Sequence, residues 1–93
     1  MLSIDSPSDV QEKIAKQFLY IRKWTKHSRK IASKRTGVPE ATIRHFENSG
    51  EISFRQFLML VKIYGDLSSF DNSFPQPKAR TMSELIKQNK RMR

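Results

Sequence analysis

The sequence contains no cysteine, so it has neither a disulfide framework nor a thiolate metal site. It has only two histidines, His27 and His45, and these are too far apart in sequence for a His-Glu-x-x-His metal pair. A glycine-rich phosphate loop is absent, and with 3 glycines in the chain there is little material for one. No serine sits in a nucleophile-elbow motif. These absences give the expectation of a non-enzymatic protein without cofactor or metal. No apolar run approaches the roughly 20 residues needed to span a bilayer. Met1 to Pro7 has neither a basic start nor an apolar stretch, so a secretory signal is not expected. The expected location is cytoplasmic.

Acidic residues are also scarce. There are 9 Asp and Glu against 18 Lys and Arg, a formal charge of +9 over 93 residues. The excess falls in two blocks. Arg22 to Arg44 holds eight basic residues and one acid, Glu40, and Lys78 to Arg93 holds six and one, Glu84. Between them, Glu47 to Asp71 is close to neutral. Basic blocks beside a folded unit suit a polyanion, and charge alone does not distinguish DNA, RNA and an anionic membrane. The 37% hydrophobic content suffices for one small folded module.

The periodicity is helical. Residues 1–7 read as an arm. Ser8 and Gln11 have capping-box spacing, and Val10, Ile14, Phe18, Ile21 and Trp24 then follow a helical period. This predicts a first helix of about four turns with Trp24 packed in the core or at its shoulder, and Lys13, Lys16, Arg22, Lys23 and Lys26 mostly off the apolar stripe. Ser28 is the candidate N-cap of a second helix, Arg29 to Thr36, with Ile31, Ala32 and Thr36 inward. Gly37 suits a left-handed helix terminus, and Val38 plugs the core behind it. A third helix starts near Pro39, where a first-turn proline is tolerated, and ends at Asn48-Ser49-Gly50. Glu40 complements its N-terminal dipole or accepts from a cytosine amino group.

Ser53 and Gln56 form a second capping-box pair, with Ile52 and Phe57 placed for a hydrophobic staple. The fourth helix carries Phe57, Leu58, Leu60, Val61 and Tyr64, with Phe54 near the core side, and stops at Gly65. One or two turns of a fifth helix follow from Asp66. Tyr64, Leu67, Phe70 and Phe74 either cover the core or form a dimer seam. Pro75-Gln76-Pro77 breaks the pattern. Beyond it, 81–86 is a candidate amphipathic turn with Ser83 as cap, and 87–93 a basic tail. The reading divides the chain into an arm, 1–7, a helical domain, 8–74, and a Pro-containing basic tail, 75–93.

Two short helices around a Gly-containing turn make the outline of a helix-turn-helix. The stretch Ser28 to Gly50 resembles the lambda-repressor-like, Cro/C1-type helix-turn-helix family, with Ser28, Gly37, Val38, Thr42, Ile43 and Glu47 at its pattern positions. It departs at Arg29, Ala32-Ser33, Pro39 and Arg44, and its closing glycine, Gly50, comes one residue late. The resemblance covers about residues 10 to 70 and implies an all-α, five-helix domain with a short basic C-terminal extension. Val38 to Phe54, the following apolar helix, Asp66 to Phe70 and the basic end also resemble HipB-type antitoxins of HipA-like kinase systems. That resemblance implies a dimeric repressor of its own operon that binds double-stranded operator DNA. A HipA-like kinase, and in some relatives a third small component, would be further partners.

In this family the third helix enters the major groove. Carried onto this sequence, Ala41, Thr42, Arg44 and His45 are the candidate base contacts, with Arg44 best suited to a guanine. Ser28, Arg29, Lys34 and Arg35 are the candidate backbone contacts. Gly37, Val38, Ile43, Phe46 and Glu47 support the recognition helix, and Glu47 is expected to bond within the unit, to Arg22 or Arg29. Two other readings compete: a protein-interaction module that binds a toxin or regulator, and an RNA-binding basic helical protein.

Overall fold

The computed structural model describes residues 6–78; the expectations for 1–5, 81–86 and 87–93 lie outside the described residues. Four α-helices and a 3₁₀ helix make up the described chain, and it contains no strand. They are α1 (Pro7–Trp24), α2 (Arg29–Thr36), α3 (Glu40–Ser49), α4 (Phe54–Tyr64) and the 3₁₀ helix Leu67–Asn72.

α1 begins earlier than the Ser8–Gln11 spacing predicts. Ser6 is the N-cap: its Oγ accepts from the Asp9 N–H at 3.1 Å, and the Asp9 carboxylate accepts from the Ser6 N–H at 3.3 Å. Pro7 then occupies the first helical position, where its fixed φ is already helical and its missing N–H costs nothing. The α2 and α4 boundaries follow the predicted caps. Ser28 Oγ accepts from the Ile31 N–H and Ser53 Oγ from the Gln56 N–H, each at 3.1 Å. The second box closes differently, because the Gln56 amide oxygen accepts from the Ser53 hydroxyl rather than from its backbone. α3 follows Pro39 without a side-chain cap, which leaves Glu40 in its first turn to complement the dipole.

The core is drawn from every α-helix. Ala15 and Phe18 of α1, Ala32 of α2, Ile43 and Phe46 of α3 and Leu60 of α4 are buried, together with Val38 between α2 and α3. Aromatic rings carry the packing across the helices. Phe18 meets Phe46 at 5.8 Å and Tyr64 at 5.5 Å, Phe46 meets Phe57 at 6.1 Å, and Phe57 meets Phe70 at 5.6 Å between ring centres. The last three are edge-to-face, a favoured arrangement for aromatic quadrupoles. Ile52 and Phe57 pack against this core from the start of α4, as the staple spacing predicts.

Several burial expectations are corrected. The buried residues of α1 are Ala15, Phe18 and Arg22, so an arginine lies on the core face. Trp24 is 72% exposed, and Val10 and Ile21 are also exposed. The core side of the helix is rotated from the stripe that hydropathy alone selects, because the Arg22 guanidinium finds a buried carboxylate. Ile31 points outward while its neighbour Ala32, small enough for close helix approach, is fully buried. Phe54 is exposed at the first position of α4. Tyr64 and Phe70 pack partly onto the core, whereas Leu67 and Phe74 are exposed.

Candidate nucleic-acid interface

The local unit runs from α2 through Gly37 to α3. Gly37 has φ +84° and its N–H donates to the Ser33 carbonyl at 2.8 Å, so it ends α2 in the left-handed region where a Cβ is costly. Thr36 supports the turn: its hydroxyl donates to the Ala32 carbonyl at 2.8 Å and accepts from the Val38 N–H at 3.1 Å. Val38 is thereby seated in the core, and Ile43 and Phe46 bury the inner face of α3.

Glu47 completes that inner face. Its carboxylate is held by two arginines from two other helices. Arg22 Nε donates to Oε2 at 2.6 Å and Arg22 Nη2 to Oε1 at 3.0 Å, while Arg29 Nε donates to the same Oε1 at 2.9 Å. Arg22 also donates through Nη1 to the His27 carbonyl at 2.9 Å. The cluster therefore joins α1, α2, α3 and the α1–α2 turn. Arg22 and Glu47 are both buried, and among the described residues no buried side-chain nitrogen or oxygen lacks a partner. Glu47 meets both of the arginines expected for it, not one of them. Arg22 was missed as a core residue by apolar counting. Glu47 beside Ile43 and Phe46 is the signal that could have found it, since a carboxylate on an apolar face requires a buried cation.

The outer face of α3 carries Ala41, Arg44, His45 and Asn48, all exposed, with Thr42 half-buried at its edge. His45 is not solitary. Its Nε2 lies 3.1 Å from Oε1 of Glu51, and its carbonyl accepts from the Ser49 hydroxyl at 2.7 Å. Ser49 in turn accepts from the Glu51 N–H at 3.0 Å, which fixes Glu51 beside the face. Sequence reasoning did not place Glu51 there; the Ser49-Gly50 turn brings it back one helical turn. Ala41, Thr42 and His45 share a shallow open depression with Glu51, Ile52, Ser53 and Gln56. Gly50 adopts φ +81°, and Gln11 of α1 donates to its carbonyl at 3.3 Å, so the end of α3 is latched to α1.

Lys34 and Arg35 are exposed at the C-terminal turn of α2, where cations complement the helix dipole. Arg29 is half-buried against Glu47. Ser28 is committed to its own helix as the N-cap. The unit thus brings exposed Ala41, Arg44 and His45 onto one helix, with Thr42 at its edge. Ser28, Arg29, Lys34 and Arg35 lie at the two ends of α2.

At the α1–α2 turn, the Tyr64 hydroxyl lies 2.7 Å from His27 Nδ1. Burial pushes the Tyr64 phenol above its ordinary value of 10.0, against the opposing pull of Arg35 and Arg22. No group of three or more potential metal ligands occurs among the described residues. None of the described helices is long and apolar enough to cross a membrane. Comparison with protein-family models, curated proteins and solved structures finds no match to this chain. The described residues form an all-α domain of five helices without strands.

Proposed function

We propose that the protein is a sequence-specific double-stranded DNA-binding repressor of the lambda-repressor-like helix-turn-helix class, with α3 as recognition helix. The observation that carries this reading is the division of α3 into two faces. Ile43, Phe46 and Glu47 are buried and clamped to α1 and α2, while Ala41, Arg44 and His45 are exposed. A helix held this firmly presents its outer side chains to a groove at little further entropic cost. Arg44 contacts a guanine edge, and Thr42 and His45 complete base or phosphate contacts beside it. Lys34 and Arg35 supply sequence-independent attraction to phosphates.

The protein acts by binding and performs no chemistry. It works as a homodimer on a two-fold operator, joined through the exposed Leu67 and Phe74. The resemblance to HipB-type antitoxins supports the further reading that it is the autoregulating component of an operon that encodes a HipA-like kinase, in the cytoplasm with the DNA.

A gel shift of the full chain against its own upstream region, over a range of salt concentrations, tests this reading. The expected result is saturable, salt-sensitive binding to a palindromic duplex that survives excess unrelated DNA. Arg44→Ala should weaken that binding roughly 10–100-fold, the value of one bidentate base contact. Equal binding to operator and unrelated duplex would overturn it, as would tighter binding to RNA.

A further inference from the structure

Val10, Ile21 and Trp24 of α1 share a helical stripe that the core does not use, and all three are exposed. Tyr20, four residues before Trp24, is 67% exposed and widens the stripe by one position. On one side the stripe runs into an apolar groove of about 300 Å³ between α1, α4 and the 3₁₀ helix. Ile14, Gln17 and Ile21 form its α1 wall, with Val61 and Tyr64 opposite. On the other side stand exposed Lys16 and Lys23, four residues before and three residues after Tyr20 and therefore in line with it. Asp9 and Glu12 are the only acids of α1, and Asp9 is engaged in the N-terminal cap.

We infer that this face of α1 seats an amphipathic helix of a second protein, apolar along one face and acidic along one flank. The groove holds its apolar side chains, Trp24 and Tyr20 cover them, and the lysine row pairs with the acidic flank. Three observations choose this occupant. The groove is concave, which suits protruding side chains and not a planar lipid surface. No lysine or arginine lines it, so a nucleic-acid strand finds no phosphate partner inside. A second copy set antiparallel would place its own Lys16 and Lys23 beside the same residues, cation against cation, with +9 on each chain. An acidic flank removes that conflict. The surface does not include Ala41, Arg44 or His45 on the outer face of α3, so partner and duplex can be held together.

Trp24 is the only tryptophan of the chain, so its emission reports this face alone. The probes are designed helical peptides with one leucine stripe and either a glutamate or a lysine flank, titrated into the full-length protein. The glutamate peptide should shift Trp24 emission to the blue, saturably, and weaken as salt rises. The lysine peptide and a scrambled glutamate peptide should not. Trp24→Ser should reduce affinity roughly tenfold, read by anisotropy of labelled peptide, since exposed aromatics dominate such interfaces. Circular dichroism checks that this variant is folded. Reversing Lys16 and Lys23 to Glu should transfer the preference to the lysine peptide, an exchange that loss of structure cannot produce. The inference is overturned by equal binding of the two flanked peptides, or by no shift with the glutamate peptide. It is likewise overturned if the shift comes only from phosphatidylserine vesicles or a single-stranded oligonucleotide, or only from raising the protein concentration.

Discussion

Arg22 of α1 and Glu47 of α3 form a two-pronged ion pair inside the domain, with contacts of 2.6 Å and 3.0 Å and both residues buried. Removing Glu47 leaves the Arg22 charge buried without its counter-charge, and such a loss typically costs about 3–5 kcal/mol. Glu47→Gln retains an acceptor but loses the charge. We therefore expect it to lower unfolding free energy by roughly 2–4 kcal/mol in urea denaturation. Replacing both residues with apolar ones, Arg22→Met with Glu47→Leu, should recover most of that loss. A double variant as unstable as the single would show that the charges themselves hold α3 in place. An unchanged midpoint for Glu47→Gln would remove the cluster from any account of stability.

The two left-handed glycines should respond unequally to alanine. Both have positive φ, +84° at Gly37 and +81° at Gly50, so each substitution carries a backbone cost of about 1–2 kcal/mol. At Gly37 the added Cβ would meet only the flexible end of Met59, at 3.2 Å. At Gly50 it would meet the backbone of Gln11, with the carbonyl carbon at 3.0 Å and its oxygen at 3.1 Å. α1 cannot yield without releasing the latch at the end of α3. Gly50→Ala should therefore lower the melting temperature more than Gly37→Ala. The reverse order would mean that α1 moves freely against α3.

Lys26 has φ 64° in the α1–α2 turn, the single non-glycine residue in that region among those described. A lysine there carries about 1–2 kcal/mol of steric cost, which glycine avoids while losing roughly 0.5–1 kcal/mol of unfolded-state entropy. Lys26→Gly should be neutral to stabilising, by up to about 1 kcal/mol, and Lys26→Val clearly destabilising. Thermal melts of the two variants side by side test this sign. Destabilisation by glycine would show that the lysine side chain makes a compensating contact.

The parts of this architecture legible in the sequence are those fixed by local chemistry. Ser28 and Ser53 cap α2 and α4 as their spacing requires, and Gly37 and Gly50 end α2 and α3. The inner face of α3 is readable because Ile43, Phe46 and Glu47 are three and four residues apart. What was not legible depends on partners distant in sequence. Arg22 is expected as a partner of Glu47, 25 positions away, but its place on the core face is not, because only the fold buries the pair. That pairing turns α1 so that Ala15 and Phe18 face inward while Trp24 faces out. Hydropathy cannot report such a rotation, since a tryptophan scores as core wherever its helix happens to face. Glu51 escaped notice for the same reason: its approach to His45 depends on the Ser49-Gly50 turn, not on helical spacing.

Tyr64 gives an alkaline signature. Its pKa is raised by burial, so the folded state holds the phenolic proton more tightly than the unfolded state. The sign follows from linkage: this contribution is complete below the unfolded value of 10.0 and is lost as pH rises through the higher folded value. Stability should fall with pH in that window, and less steeply in Tyr64→Phe. Tyrosinate absorbance in a Tyr20→Phe background should show Tyr64 titrating above 10.0 in the folded protein and reverting in denaturant. Titration at or below the ordinary value would mean that Arg35 and Arg22 outweigh burial.

Glu51 provides a test of the proposed DNA face that does not require removing a contact. Its carboxylate is exposed and lies 3.1 Å from His45, beside the side chains assigned to the groove. In the proposed complex that carboxylate is a negative charge held near phosphates. Glu51→Gln keeps a similar shape and an acceptor for His45 while removing the charge. Duplex affinity should rise by roughly 3–10-fold at low salt, with the gain shrinking as salt screens the repulsion. Anisotropy titrations of wild type and variant at several salt concentrations would measure both effects. Unchanged affinity with unchanged salt dependence would place Glu51, and with it His45, away from the bound DNA. A loss of affinity that persists in high salt would instead make Glu51 a direct acceptor, with cytosine N4 as its natural donor in the major groove.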